Sequence, residues 1–353
     1  MNRRASLLYG IFCLLALIVG FLFVFSMLWV RGSLTLVIGV VCMLFAFVFA
    51  PAVHEFGHVA FAWGNGMKLA YLKFFCFSWK RTGKRLRFAF ANPFAPDETQ
   101  VVPAYGGDML KRAKAYTLGG LVFGGTWLLI CVLCACLIPN VHYLWGLVPF
   151  SAYLVLLNIV PASYATGLTD MSVYGGLCKG EPVQKNMLSA MEIQGRLFAG
   201  ESYAEIDEEL YFNTPQIAED EPLFLVMLDL RYRYYLDKGD LEKASECLNR
   251  LALLQGYLSE MEAERVAGEL VYMHSLNGDC KRASECGDLC ERYLFGLDIT
   301  AKRILCAYTY AFGDKEKAIE VRRIVLNKLD EEWISGHAKS EKKLLLALNK
   351  TEP

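Results

Sequence analysis

The first half of the chain has few acidic residues. Five Asp and Glu residues occur up to Cys178, against 13 Lys and Arg, whereas the rest of the chain contains 32 acidic and 23 basic residues. The two halves nearly cancel, so the 353-residue chain has a net charge of −1. Neither half carries an RNA- or DNA-binding motif, and basic residues beside apolar segments are what membrane topology predicts. We therefore expect no nucleic-acid partner.

Disulfide spacing is also lacking, although the chain contains 12 cysteines. They are scattered, which does not fit the regular framework of a small secreted protein. We therefore expect reduced thiols and a cytoplasmic soluble part. Cys131, Cys134 and Cys136 lie in the apolar stretch TWLLICVLCACLIP without a partner pair, which favours helix packing over a thiolate metal cluster. Gly120 and Gly124, four residues apart, likewise predict a bare helix face for close packing.

Long apolar runs are the dominant feature of the first half. The chain is 55% hydrophobic with a mean hydropathy of +0.30, which suggests a membrane part and a soluble part. Four runs are long enough to cross a bilayer, at residues 7–30, 33–63, 115–138 and 143–160. The first lacks the short apolar region and cleavage site of a secretory signal. Lys and Arg precede the first run and fill the segment between the second and third, which predicts a multi-pass protein of the cell membrane with both termini cytoplasmic.

The basic segment after the second run predicts a small juxtamembrane β-hairpin. The stretches KLAYLKFFCFSW and RLRFAFANPF flank KRTGK, and both are rich in aromatic residues. We favour an interfacial hairpin whose aromatic and cationic side chains lie at the lipid headgroups. The alternative is an edge strand beside the site that pairs with an extended substrate.

After Gly180 the pattern changes to amphipathic helices with an internal repeat. Gly-Asp followed by an early Ala recurs at Gly239, Gly278 and Gly313, with starts 39 and 35 residues apart. The period resembles that of tetratricopeptide-like helical hairpins, whose stacked arrays bind protein partners. The predicted fold is thus all-α: a transmembrane helical core of about four spans (residues 1–180), a helical linker (181–215) and a cytoplasmic soluble α-helical hairpin-repeat domain (216–353). A generic helical bundle that serves as a solubilising tail is the alternative.

The second apolar run contains His54-Glu55-Phe56-Gly57-His58, which has the form HExxH. Residues four apart share a helix face, so His54 and His58 can bind one metal ion while Glu55 accepts a proton from a water molecule. Ionisable groups at membrane depth are costly and are seldom present without a function. The motif therefore predicts an intramembrane Zn²⁺ site.

A catalytic zinc site usually takes three protein ligands. Asp170 is the single acidic residue between Asp108 and Glu181, and it follows the fourth run at a point where Pro161 and Gly167 interrupt helix. Broken backbone at membrane depth is tolerated where it lines a watery cavity, which hydrolysis requires. We therefore predict Asp170 as the third metal ligand. The alternative is a loop or helix-capping residue.

HExGH in a second span, followed by N-x-x-P and a later Asp around the fourth, resembles the site-2 protease family of intramembrane zinc metalloproteases. The resemblance covers roughly residues 45–177. It implies His54, His58 and Asp170 as zinc ligands, Glu55 as general base and Asn158 as a stabiliser of the tetrahedral intermediate. It implies an endopeptidase that cleaves a membrane-anchored protein or peptide in or near its transmembrane segment.

The chain also departs from the family pattern. Family members commonly have Asp-Gly soon after the proline, whereas Asp170-Met171 comes nine residues after Pro161. This departure supports an alternative from another class: a catalytically inactive membrane scaffold or adaptor that acts through its helical tail. Retention of Glu55 argues against it, because a scaffold has no use for a general base.

Overall fold

In the computed structural model, which describes residues 3–95, 97–103, 106–164, 167–296 and 298–348, the chain divides into two units. The first unit consists mainly of residues up to Gln184, and the second mainly of residues from Lys185 onward. Most described residues are helical, and the first unit adds a small β-sheet. The predicted mostly helical fold is thereby confirmed.

Four helices of the first unit are long and apolar enough to cross a membrane, as predicted. They are α1 (Arg3–Trp29), α2 (Ser33–Gly64), α3 (Met109–Leu137) and the stretch His142–Ile159, in which a 3-10 turn (His142–Leu147) precedes α4 (Val148–Ile159). A helix pairs its backbone groups internally, as a segment in hydrocarbon must. Large apolar side chains are exposed along these helices, for example Leu22 at 65% and Phe23 at 68%, which suits contact with lipid.

The chain after α4 breaks and turns back, as Pro161 and Gly167 predict. Two short antiparallel strands of two residues each separate α4 from α5 (Asp170–Lys179). They are β5 (Ser163–Tyr164) and β6 (Gly167–Leu168). Gly167 has φ +130°, a conformation that favours glycine. The N-cap of α5 is Thr169, whose Oγ1 accepts from Ser172 N. Asp170 is therefore free of the capping role.

The sheet between α2 and α3 contains four strands rather than the two predicted. They are β1 (Lys68–Phe74), β2 (Phe77–Thr82), β3 (Arg85–Phe90) and β4 (Glu98–Val102), in the order β3-β2-β1-β4. β1 is antiparallel to both β2 and β4. The first predicted strand is divided in two because Phe75 adopts φ +51° and turns the chain. Val59 of α2 packs against Leu69 and Leu72 of β1, which holds the sheet on the helix.

From Lys185 onward, all regular secondary structure of the described residues is helical. The helices of the second unit are α6 (Pro182–Ala199, which begins at the end of the first unit), α7 (Glu209–Phe212), α8 (Pro222–Lys238), α9 (Leu241–Leu253), α10 (Glu260–Leu276), α11 (Cys280–Asp288), α12 (Glu291–Leu294), α13 (Ile299–Ala311), α14 (Lys315–Lys328) and α15 (Ser335–Ala347). Ile193 and Leu197 of α6 share a core with Tyr211 and Leu230. The segment interpreted as a linker thus contributes to this core.

The three Gly-Asp sites have the same local structure. Each glycine ends a helix at positive φ, each aspartate caps the next helix through its side chain, and each following alanine is buried. The three sets are Gly239 (φ +87°), Asp240 and Ala244; Gly278 (φ +70°), Asp279 and Ala283; and Gly313 (φ +82°), Asp314 and Ala318. The repeated sequence therefore makes a repeated helix-turn-helix junction.

Candidate metal centre

The two histidines of the HExxH motif lie one turn apart on α2 and present their rings to the same point. Nε2 of His54 and Nε2 of His58 are 3.3 Å apart. Both rings are largely buried, with side-chain exposures of 13% and 7%. The helix continues unbroken through Pro51 and places the motif in its last third.

Asp170 completes the cluster from the first residue of α5. Its Oδ2 lies 3.2 Å from Nε2 of His54, and its Oδ1 lies 3.5 Å from Nε2 of His58. Burial raises the pKa of Asp170, but the adjacent imidazoles of His54 and His58 outweigh that effect and lower it to about 2. The carboxylate is therefore ionised at neutral pH, as a metal ligand must be.

The geometry of the three side chains fits a tetrahedral zinc ion. Ligand atoms roughly 2.0–2.2 Å from such an ion are about 3.3–3.6 Å from one another. The 3.3 Å between the two Nε2 atoms and the 3.2 Å between Oδ2 of Asp170 and Nε2 of His54 lie close to this range, whereas the 3.5 Å contact of His58 is to the other carboxylate oxygen, Oδ1. Oδ2 of Asp170 is buried and, within the described part of the chain, has no aligned hydrogen bond even though an imidazole nitrogen is 3.2 Å away. Two imidazoles and one carboxylate are also a common donor set of catalytic zinc.

His58 is held in the tautomer that a metal ligand needs. Its Nδ1 lies 2.8 Å from the backbone carbonyl oxygen of Tyr116 on α3. A carbonyl can only accept, so Nδ1 carries the proton and donates to it. When the ring is neutral, Nε2 then presents its lone pair to the cluster, an arrangement typical of metal-binding histidines.

Gly120 of α3 leaves room at the coordinating atoms. A Cβ at this position would lie 2.4 Å from Nε2 of His58 and 2.7 Å from Nε2 of His54. Gly57 and Gly119 bring the two helices close, since a Cβ on either would lie within 2.4 Å of the other's carbonyl oxygen. Gly119 thus makes the close helix approach that the sequence predicted for Gly120 and Gly124, and Gly120 instead leaves room for the imidazoles, an effect that the sequence did not suggest.

Glu55 is buried beside the cluster and is oriented by the sheet. Its Oε2 accepts a hydrogen bond of 2.5 Å from Oγ1 of Thr99 on β4. The hydroxyl of Tyr116 donates to the backbone oxygen of Thr99, also at 2.5 Å. Tyr116 therefore contacts both sides of the site: its carbonyl orients His58 and its side chain positions the strand that orients Glu55.

Sequence reasoning missed Thr99 and Tyr116. Thr99 is 44 residues from Glu55, and nothing in a lone threonine on a predicted loop marks it as a partner of the motif. Asn158 is predicted to act at the site, but the structure gives its side chain another partner. Its Nδ2 donates to the Leu154 carbonyl oxygen of its own helix at 3.2 Å, and no hydrogen bond among the described residues joins it to the cluster.

Searches with the chain against protein-family models, curated proteins and solved structures find no match. The function of the chain is therefore inferred from the site itself. Within the described residues, His54, His58 and Asp170 are a set whose ligand atoms lie within 4.8 Å of one another, suited to holding a metal ion.

Proposed function

We propose that the chain is an intramembrane zinc metalloendopeptidase that hydrolyses a peptide bond in or near a transmembrane segment of a membrane-anchored substrate. The observation that carries the proposal is the convergence of His54, His58 and Asp170 with Glu55 directly beside them. A metal site that serves structure alone has four protein ligands and needs no neighbouring base. Here two imidazoles and a buried carboxylate lie on a helix that is apolar enough to cross a membrane, and Asp170 of α5 supplies the third candidate ligand.

The roles of the residues follow from their positions. When bound, zinc supplies Lewis acidity, which polarises a peptide carbonyl and makes hydroxide available near neutral pH. Glu55 takes the proton of the attacking water and returns it to the departing amine. Thr99 occupies Oε2 of Glu55, so Oε1 is the oxygen that accepts the proton.

The substrate must reach this site in an extended form. A helical segment hides its carbonyls in hydrogen bonds, so it has to unwind locally before hydrolysis. β4 is an edge strand of the described sheet and carries Thr99, the residue that touches Glu55. An unwound segment paired with β4 would lie beside the general base, which supports the substrate-pairing interpretation of this part of the sheet.

The second unit would recruit or gate substrates. The three equivalent helix-turn-helix junctions at Gly239, Gly278 and Gly313 support tetratricopeptide-like hairpins with a protein partner. The distribution of Lys and Arg supports the cytoplasmic location of both termini and of this unit. Deleting residues 201–353 should then weaken or abolish the preference for one membrane-anchored substrate over another. Unchanged selection among membrane-anchored reporters would count against this role.

The central test combines metal analysis with cleavage of a membrane-anchored reporter by the full chain in proteoliposomes. Glu55→Gln should retain zinc and lose cleavage by about 10²–10⁴-fold, the usual contribution of a general base. Asp170→Ala should lose most of its zinc. Glu181→Gln makes the same chemical change at a carboxylate that is 51% exposed and lies outside β4, and it should leave both quantities unchanged.

Two results would contradict the proposal. An active Glu55→Gln protein would remove the general base from the mechanism. A wild-type chain that binds no zinc and cleaves no membrane-anchored reporter would favour the membrane scaffold that acts through its helical tail.

A further inference from the structure

The hairpin of β2 and β3 has two chemically different faces. Side chains alternate along a strand, so Phe77 and Trp79 of β2 share a face with the alternate residues of β3. The aromatic face consists of Phe77, Trp79, Leu86, Phe88 and Phe90. The cationic face consists of Lys80, Arg85 and Arg87, which are exposed.

The aromatic face continues the surface of a membrane-spanning helix. Phe56 of α2 is 48% exposed, and its ring centroid lies 6.1 Å from that of Phe74 on β1. Phe74 stacks on Trp79 at 5.5 Å, Trp79 contacts Phe88 at 5.3 Å, and Phe88 contacts Phe90 at 5.2 Å. A connected series of rings thus runs from α2 to the outer strand of the sheet.

Much of this aromatic surface is exposed at its far end. Phe88 and Phe90 are 51% and 77% exposed, and Phe94, which follows β3, is 93% exposed. Every residue of β3 is exposed. An outer strand with this much aromatic surface is costly to leave in water, and exposed apolar patches of this kind mark contact sites.

We propose that the β2–β3 hairpin docks on anionic lipid, with its aromatic face at the acyl-chain boundary and its cationic face at the phosphates. Two observations select lipid as the occupant. The series of rings begins at Phe56, on the exposed side of a helix long and apolar enough to span a membrane. The opposite face carries three exposed cations, which suits anionic headgroups. The proposal goes beyond the proposed protease function and does not depend on it.

The test places a photoreactive benzoylphenylalanine at single positions of the full chain in nanodiscs that contain equal amounts of phosphatidylglycerol and phosphatidylcholine. Positions 88 and 90 probe the aromatic face, and position 87, next to 88 on the same strand, lies on the cationic face. Leu22 of α1, which is 65% exposed, serves as the positive control. Mass spectrometry then identifies whatever is attached.

We expect phospholipid adducts at positions 22, 88 and 90, with several-fold less at position 87. Replacing Lys80, Arg85 and Arg87 by Gln should lower the phosphatidylglycerol share of the adducts at position 88 toward its share of the bilayer. Adducts at position 22 with none at 88 and 90 would overturn the proposal. So would protein adducts at 88 and 90 in native membranes, or equal lipid adducts at 87 and 88.

Discussion

The two units bury ionisable side chains in different ways. In the second unit, Arg303 is fully buried, and its Nη2 donates to both carboxylate oxygens of Glu269 at 2.8 and 2.7 Å. Its Nε donates to Glu341 at 2.8 Å, and the guanidinium lies 3.9 Å from the ring centre of Tyr272. Its Nη1 has no hydrogen-bond partner among the described residues, but Nη2 and Nε are charged donors that lie directly against carboxylate oxygens.

The buried groups of the candidate metal centre, in the first unit, are not matched in this way. The ring nitrogens of His54 and His58 face each other at 3.3 Å, and the nearest carboxylate keeps an oxygen without an aligned donor among the described residues. Converging lone pairs suit a cation, whereas charged donors that face carboxylates hold one another in place. Burial of charge therefore does not identify a site by itself; the direction of the lone pairs does.

The largest expected effect concerns the buried ion pairs of Arg303 in the second unit. Arg303→Met leaves Glu269 and Glu341 buried without their partner and should lower the free energy of unfolding of the second unit by about 3–5 kcal/mol. Urea unfolding of the full chain in detergent measures it. Arg292→Met breaks an ion pair of 3.5 Å whose arginine is 73% exposed and should cost far less. Equal losses in the two variants would contradict the contrast between the units.

The next effect concerns the space that Gly120 leaves at the candidate metal centre. Gly120→Ala places a Cβ 2.4 Å from Nε2 of His58 and should weaken zinc binding by at least about 10–100-fold, with a parallel loss of cleavage. Zinc titration against a competing chelator measures the affinity. Gly125→Ala makes the same change on the same helix where a Cβ meets nothing within 4 Å, and it should bind zinc normally. Normal zinc affinity in Gly120→Ala would argue against a metal at this point.

A smaller effect separates orientation of the base from metal binding. Thr99→Val removes the hydroxyl that donates to Glu55 and should lower kcat for reporter cleavage by about tenfold, the lower end for a hydrogen bond to a charged group. Thr99→Ser keeps the donor and should restore most of the rate. Zinc content should be the same in all three proteins. A loss of zinc in Thr99→Val would mean that the threonine acts on the fold of the site and not on Glu55.

The smallest effect concerns pH and the second unit. His337 lies between the Tyr203 hydroxyl and Thr300 Oγ1, each at 3.2 Å, and burial lowers its pKa although Glu341 opposes the shift. The folded state therefore binds fewer protons than the unfolded state. Stability should be constant above the unfolded pKa of about 6.5 and should fall below it, by up to about 1.4 kcal/mol per pH unit.

His337→Gln retains a hydrogen-bonding side chain but cannot titrate. Its stability should therefore lack this dependence between about pH 6.5 and 5.5. Urea unfolding of both full chains at several pH values checks the difference. An identical pH slope in the two proteins would assign the effect to another group.

Contacts within one helix follow from the sequence more directly than contacts between separate elements. HExxH places His54, Glu55 and His58 on adjacent positions of one helix, so their proximity follows from the helical repeat. Asp170 could be selected because acidic residues are scarce in the first half. Thr99, Tyr116 and Gly120 come from other elements, and their contacts depend on how the sheet and α3 pack on α2. Asn158, assigned by resemblance, forms a hydrogen bond within its own helix instead.

The same distinction applies to the fold. The amino-acid sequence determined the four apolar helices, the Gly-Asp junctions and the pair of imidazoles, because each depends on hydropathy, turn preference or helical spacing over a few residues. Tertiary structure alone decided that Asp170 meets the histidines, that Gly120 faces their nitrogens, and that an edge strand holds Glu55. These contacts join residues far apart in the chain, and a close-packed interior brings them together for reasons of shape that no local pattern records.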